Sequence, residues 1–253
     1  SQRFPHHLLL SETVTQRLQI NPGKVQEKII SARLAGYPGK VIPFTAGDLQ
    51  DLSFYANYIA VFGQQFLNPA SNPGIQNYQL TLVDTVFVGS DSIFTIHFEP
   101  AKATFDGFAG SLRVHSKKWA LLTVDADLVI SEASLLLKGG HIRQIYEELP
   151  DGHWVPSQLN SEITTKSISK NDPVRFEFSG YSTIKKHVIG DSALKGFRSE
   201  DVLVVAEGAG KEDSLLKNGR SIPLDTLERL SYRRLDSIGK AFGLSRVFDQ
   251  TWK

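Results

Sequence analysis

The stretches SIFTIHF (residues 92–98) and FAGSLRV (residues 108–114) decide the fold of this chain. In both, apolar residues recur at every second position, and from residue 120 to residue 130 all the even positions are apolar. Side chains that alternate with a period of two over several neighbouring segments are the signature of β-strands. The run from Tyr78 to Ile163 therefore predicts a large antiparallel sheet.

Turn residues divide this run into separate strands. Upstream of it, residues 52–66 are rich in aromatic side chains and fit a strand about as well as a helix, and we interpret them as a strand. We expect strands over residues 76–88, 92–99, 108–115, 119–130, 141–149, 154–166 and 174–181.

Two helices are expected outside the sheet. Asn21 and Pro22 suit the first turn of one, which would end at the glycine-rich stretch near residue 36. Asp225 and Glu228 have the spacing of a capping box, and apolar residues follow at helical spacing up to Phe242. We predict an N-terminal segment with one helix over residues 1–50, a sheet domain over residues 51–188, and an irregular linker with a C-terminal helix over residues 189–253.

The composition narrows the classes of function. The formal net charge of the 253 residues is only +1, so nothing in the charge balance indicates a nucleic-acid partner. The chain has no cysteine, which excludes disulfides, thiolate metal sites and thiol nucleophiles. We expect neither a metal nor a cofactor, and a non-catalytic protein.

The predicted hairpin register argues against a metal site formed by the seven histidines. This register places His97 near Gly110 and His115 near Ser92, so the two histidines lie more than ~10 Å apart along the sheet. His141 and His153 fall at opposite ends of their own predicted hairpin. We interpret the histidines as scattered surface residues.

Three carboxylates are the remaining candidates for chemistry. Asp125 and Asp127 face the same way, and Asp106 is expected near the paired end of the preceding strand. Such a group can bind calcium or act as a general acid and base. Solvated residues on the outer face of a half-buried strand are the simpler interpretation, and a hydrolase is kept as an alternative.

The 15 phenylalanines allow two interpretations. They can fill an ordinary core, or part of them can line an apolar cavity of the size that holds a lipid, since ligand sites are concave and mostly apolar. An ordinary core is the simpler interpretation.

Several motifs, in order, carry a family likeness. They are Tyr78-x-Leu80-x-Leu82-x-Asp84-Thr85, Phe94-x-Ile96-x-Phe98-x-Pro100, Phe105-x-Gly107-Phe108-x-Gly110-x-Leu112, Tyr146-Glu147-x-x-x-x-Gly152-x-Trp154-x-Pro156 and Arg220-x-x-Pro223-Leu224-x-x-x-Glu228-x-x-x-Tyr232-x-x-Leu235-Asp236. Together they resemble an uncharacterised family of Gram-negative envelope proteins. Its members join a carboxypeptidase-regulatory-like domain, a domain of unknown function and a C-terminal outer-membrane β-barrel. The resemblance implies that the C-terminal helix leads to a barrel that this chain lacks.

The central part also resembles the lipoprotein-carrier fold of the periplasm, because an Ile-x-Phe-x-Pro strand precedes a Gly-x-Leu-x-Val strand between Ile96 and Val114. This likeness implies an α+β fold in which a curved antiparallel β-sheet, a half-barrel, has flanking helices. It also implies a periplasmic location, associated with the outer membrane, and supplies no catalytic residue.

We therefore expect a non-catalytic periplasmic module of an outer-membrane protein. Its ligand would be a lipid or acyl chain on the concave face of the sheet, bound by Phe94, Phe98, Leu112 and Leu122. The alternative is a protein-interaction module that docks to its own barrel or to an envelope partner. The alternative predicts a filled core and an exposed apolar patch, for which the helix from Asp225 to Phe242 is a candidate.

Overall fold

The computed structural model describes residues 10–21, 24–35, 52–132, 134, 136–166, 176–190, 193, 197, 203–205 and 213–242. Its contacts divide the chain into two compact units, one of residues 46–188 and one of residues 1–45 with residues 189–253. Among the helices described, none has the length and apolar character needed to cross a membrane.

The strands, in chain order, are β1 Ser11–Asn21, β2 Lys24–Leu34, β3 Tyr58–Val61, β4 Gln64–Leu67, β5 Tyr78–Val88, β6 Asp91–Pro100, β7 Gly107–His115, β8 Leu121–Val129, β9 Leu137–Glu148, β10 Trp154–Thr165, β11 Glu177–Thr183 and β12 Leu203–Val205. The helices are α1 Asn72–Ile75, α2 Asp213–Gly219 and α3 Thr226–Phe242. The described chain is thus mostly β-strand with a few short helices, a β-rich α+β fold.

The alternating run forms a seven-stranded sheet in the larger unit. Its strand order is β11-β10-β9-β8-β7-β6-β5, and every neighbouring pair is antiparallel. The prediction of a large antiparallel sheet is therefore confirmed. Because consecutive strands are also neighbours in space, β5 and β11 are its two edge strands.

An aromatic core lies against one face of this sheet. Phe108 contacts the rings of Phe54 and Phe66, with centroids 5.6 and 5.7 Å apart. The buried side chain of Asn68 is hydrogen-bonded inside the unit: its Nδ2 donates to the carbonyl oxygens of Phe54 and Ala56, each at 2.7 Å. The buried cluster also includes Ile59, Val61, Tyr78, Phe98, Leu112, Leu121, Val124, Ala126, Leu128, Leu137, Ile142 and Ile163.

The aromatic segment 52–66 differs from the prediction of one strand. It contains the start of a hairpin, in which β3 and β4 are joined by Phe62 and Gly63 with φ of +48° and +78°. Two positive φ values form the two-residue turn that suits the twist of a hairpin. Phenylalanine is an unusual residue there, and its ring packs against Phe178 at 4.9 Å.

The smaller unit has a three-stranded sheet of order β1-β2-β12, with β12 parallel to β2. The helix predicted to start at Asn21 is wrong, because residues 24–34 form β2. Ile29 is fully buried, and Val25 and Ile29 have helical spacing in the sequence, but pairing with β1 determines the conformation. Asparagine and proline are common in turns as well as at helix starts. The residues Asn21 and Pro22 therefore could not distinguish a helix from a strand that follows a turn.

The capping box predicted at the start of the C-terminal helix is present, so this prediction is confirmed. The backbone N–H of Glu228 donates to Asp225 Oδ1 at 2.7 Å, and the N–H of Asp225 donates to Glu228 Oε2 at 2.8 Å. These two bonds satisfy donors that a helix start leaves without intrahelical partners.

Candidate functional site

The edge strand β5 has more exposed large apolar side chains than any other strand of the sheet. It pairs with β6 from Tyr78 opposite Pro100 to Val88 opposite Asp91, and no strand of the described chain pairs with its other side. Asp84 is its only charged residue. Six large apolar side chains of β5 are exposed: Leu80, Leu82, Val83, Val86, Phe87 and Val88, by 41 to 79%.

These side chains point to both faces of the sheet. Leu80 lies opposite Phe98, which is fully buried, so this part of β5 continues the core face. Val86 lies opposite Ile93, on the other face. A bulge between Leu82 and Asp84 leaves Val83 without an opposite residue on β6. Both faces of this edge are therefore apolar and open to solvent.

Tyr78 fixes the first residue of β5. Its hydroxyl donates to the carbonyl oxygen of Leu67 at 2.7 Å and accepts from the N–H of Phe108 at 3.1 Å. Burial raises the pKa of Tyr78 to about 12. A side chain on Gly107 would collide with the Tyr78 hydroxyl, so glycine is required beside it. One end of β5 is thus anchored in the core, whereas the rest of the strand, apart from the half-buried Thr85, is exposed.

By register, Phe94, Phe98 and Leu112 lie on one face of the sheet, whereas the fourth predicted ligand-binding residue, Leu122, does not follow the same alternation. Phe98 and Leu112 lie within the packed core cluster. Phe94 is half-buried and stacks on the exposed ring of Trp119, with centroids 6.3 Å apart. Leu122 is half-buried at a second bulge, because Leu121 pairs with Val114 and Thr123 pairs with Arg113. The alternation that placed Leu122 with Phe98 and Leu112 is interrupted at this bulge.

The three predicted carboxylates do not converge on one point. Asp106 accepts a hydrogen bond from the N–H of Ser131 at 2.6 Å. By register, it lies about 10 Å along the strand from Asp127. The arrangement that sequence reasoning missed is His141, whose Nδ1 is 2.8 Å from Asp127 Oδ1 and whose Nε2 is 3.6 Å from Asp125 Oδ1. The pairing of β8 with β9 brings these residues together across the sheet.

The histidines are spread as the predicted register requires. His97 pairs with Ser111 and His115 pairs with Ile93, each one residue from the predicted partner, and the two histidines are about 13 Å apart along the sheet. Within the described residues, no group of three or more His, Asp and Glu side chains has the geometry to hold a metal ion.

Comparison of the sequence with known proteins gives a family without an assigned activity. The match covers residues 4–183, which include every strand from β1 to β11. No curated protein and no solved structure matches the chain. Because the matched residues are more than half of the 253, the chain belongs to DUF5686, a family of unknown function.

Proposed function

We propose that this protein is a non-catalytic interaction module that takes up an extended segment of an envelope protein as an additional strand beside β5. The observation that carries the proposal is the exposed apolar edge, eleven residues long with one charge. An edge strand presents a row of backbone N–H and C=O groups that another extended chain can pair with. Such pairing is a common mode of peptide recognition.

The chemistry of the edge defines the occupant. Backbone groups supply hydrogen bonds to any extended peptide, whereas exposed side chains select its sequence. Leu80 and Leu82 on one face and Val86 on the other call for apolar residues on both faces of the incoming segment. Asp84 adds one carboxylate, whose Oδ1 accepts from the N–H of Thr85 at 2.8 Å.

The acyl-chain function expected on the concave face has less support. Phe98 and Leu112 are 0 and 4% exposed and pack with Phe108 and its aromatic neighbours. A ligand between them would have to displace part of that cluster. The interaction alternative predicts a filled core and an exposed apolar patch, with the C-terminal helix as the candidate. Leu227, Leu230 and Ile238 of α3 are exposed, but β5 exposes more large apolar side chains.

The proposal includes a cellular location for the protein, the periplasm. The motif likeness to envelope proteins supports a periplasmic module, associated with the outer membrane and placed next to a β-barrel. The likeness to the lipoprotein-carrier fold supports a half-barrel curvature for the sheet. In that setting a segment of the barrel chain or of a neighbouring envelope protein is the partner of β5.

Site-specific photo-crosslinking tests the proposal in the intact organism. A benzophenone amino acid replaces Leu82, which is 59% exposed on β5, and in a matched control it replaces Ser179, which is exposed on β11. We expect a protein crosslink at position 82 that is absent at position 179, with the linked peptide identified by mass spectrometry. A synthetic peptide of that segment should then slow amide exchange at alternate residues of β5 in the purified protein.

Three results would overturn the proposal. Crosslinks of equal yield at both positions would mean that β5 has no special affinity for protein. Crosslinks only to a second copy of the chain would assign the edge to self-association. Crosslinks to lipid would return the function to the acyl-chain interpretation.

A further inference from the structure

A pocket of about 380 Å³ lies in the smaller unit, between the end of α2 and the start of α3. Its lining consists of Lys217, Arg220, Pro223, Leu224 and Arg229. Three of these five side chains are cationic and none is acidic. The volume falls within the range of sites that hold small molecules, so the pocket is large enough for more than a bare ion.

Arg220 is held in place by a carboxylate behind it. Its Nε and Nη2 each donate to Glu12 at 2.7 Å, one to each carboxylate oxygen. Glu12 also accepts from the hydroxyl of Tyr232 at 2.9 Å. A guanidinium has five donors in a fixed plane, and this bidentate contact uses two of them. The other three have a fixed direction because the contact with Glu12 fixes the plane.

Arg229 is positioned by the first turn of α3. Its Nε donates to the carbonyl oxygen of Asp225 and its Nη2 to Thr226 Oγ1, both at 3.2 Å. The guanidinium of Arg229 is therefore held at the pocket by α3 itself. The carboxylates of Asp225 and Glu228 are hydrogen-bonded to the backbone of the same turn.

We propose that this pocket binds a phosphate group carried by a small molecule or by a phospholipid headgroup. Arg220 and Arg229 supply planar, charged donors that match the oxygens of a phosphate, and Lys217 adds a third positive charge. Pro223 and Leu224 contact the carbon part of the ligand. The site is in a different unit from β5, so it can fail without affecting the proposal for that edge, and the reverse holds as well.

Isothermal titration with glycerol 3-phosphate tests a soluble source of the phosphate, and glycerol is the neutral control. Sedimentation with vesicles of phosphatidylcholine, with and without phosphatidylglycerol, tests a headgroup source. Arg229→Gln removes one lining charge. Arg233→Gln is the matched control, because it removes one exposed charge from the same helix outside the pocket.

We expect saturable binding to glycerol 3-phosphate or to the phosphatidylglycerol vesicles. Arg229→Gln should weaken it about tenfold or more, because a hydrogen bond between charged groups is lost, and Arg233→Gln should change it less than twofold. Lys217→Gln should also weaken it. Absence of saturable binding to both probes, or equal weakening by Arg229→Gln and Arg233→Gln, would overturn the proposal.

Discussion

The two edge strands of the seven-stranded sheet are built differently. β11 has seven residues, alternates between exposed and half-buried positions, and carries Glu177, Ser179 and Thr183 on its exposed side. The hydroxyl of Tyr181 donates to Glu162 on the neighbouring strand at 2.6 Å. β5 has eleven residues and exposes six large apolar side chains. Soluble proteins keep edge strands short and polar to prevent pairing with other chains, and only β11 follows this rule.

This contrast is the reason why we propose β5, and not β11, as the edge that contacts a partner. β5 still has two features that limit indiscriminate pairing, the bulge at Val83 and the charge of Asp84. If β5 binds a partner as proposed, its bulge should restrict the segments that can pair with it. Four measurements can test this contrast, and their expected effects range from a large loss of stability to almost none.

The fold should depend on the residues behind β5 and not on those that β5 exposes. Phe98→Ala should lower the free energy of unfolding by about 3–5 kcal/mol, because it leaves a cavity in the core. Leu80→Ala, directly opposite on β5, should lower it by about 1 kcal/mol or less. Urea unfolding measures both. Similar losses for the two variants would make Leu80 a core residue and remove the contrast.

Partner binding should show the opposite dependence. The double variant Leu82→Lys with Phe87→Lys should weaken binding of the crosslinked segment by about 100-fold or more, since each buried apolar side chain contributes about 1.5–3 kcal/mol. Ser179→Lys on β11 is the control and should leave the affinity unchanged. Fluorescence anisotropy with the labelled segment gives the dissociation constants. If both variants bind as the wild type does, β5 is not the binding edge.

The anchored end of β5 should be sensitive to pH through Tyr78. Its pKa of about 12 exceeds the ordinary tyrosine value of 10.0, so the stability that the hydroxyl contributes is present below pH 10 and is lost as the pH rises towards 12. Tyr78→Phe should cost about 1–3 kcal/mol at pH 7, because Leu67 and Phe108 lose their partner. The difference between the wild type and this variant should shrink from pH 10 to pH 12.

Tyr58→Phe, at an exposed tyrosine on β3, serves as the control for that experiment. It should change the unfolding free energy by less than about 0.5 kcal/mol at any pH tested. A pH-independent difference between the wild type and Tyr78→Phe would contradict the assigned role of the hydroxyl.

The smallest effect is expected at the polar edge. Tyr181→Phe removes an exposed hydrogen bond to Glu162, and exposed contacts of this kind contribute about 1 kcal/mol or less. We expect a loss of less than about 1 kcal/mol in urea unfolding and no change in partner affinity. A larger loss, or weaker partner binding, would show that β11 also serves as a contact edge.

The sequence predicts the sheet because alternation is a local property of each strand. It misses the hairpin of β3 and β4, since Phe62 occupies a turn position that normally takes Asn, Asp or Gly. It assigns β2 to a helix because residues with helical spacing can still be fixed in a strand by pairing with β1. In both places non-local contacts override the local signal.

The candidate site could be predicted only in part. A bulge moved Leu122 out of register with Phe98, and bulges leave no clear mark in a single sequence. β5 does carry a signal: apolar residues occur at both odd and even positions from Leu80 to Val88. Its position at the start of the alternating run is consistent with an edge. Which residues end up exposed depended on the strand order, which only the structure supplied.

The bulge at Val83 determines which changes in length β5 can tolerate during evolution. The ladder passes from Leu82 opposite Ile96 to Asp84 opposite Thr95, so β6 does not require Val83 as a partner. A deletion of Val83 alone would make the pairing regular and leave every other side chain of β5 on its present face, whereas a deletion at another paired position would turn the following residues over. The bulge can therefore be lost without any change in which side chains lie on each face of β5. A relative with one residue fewer at this position could keep the same exposed residues.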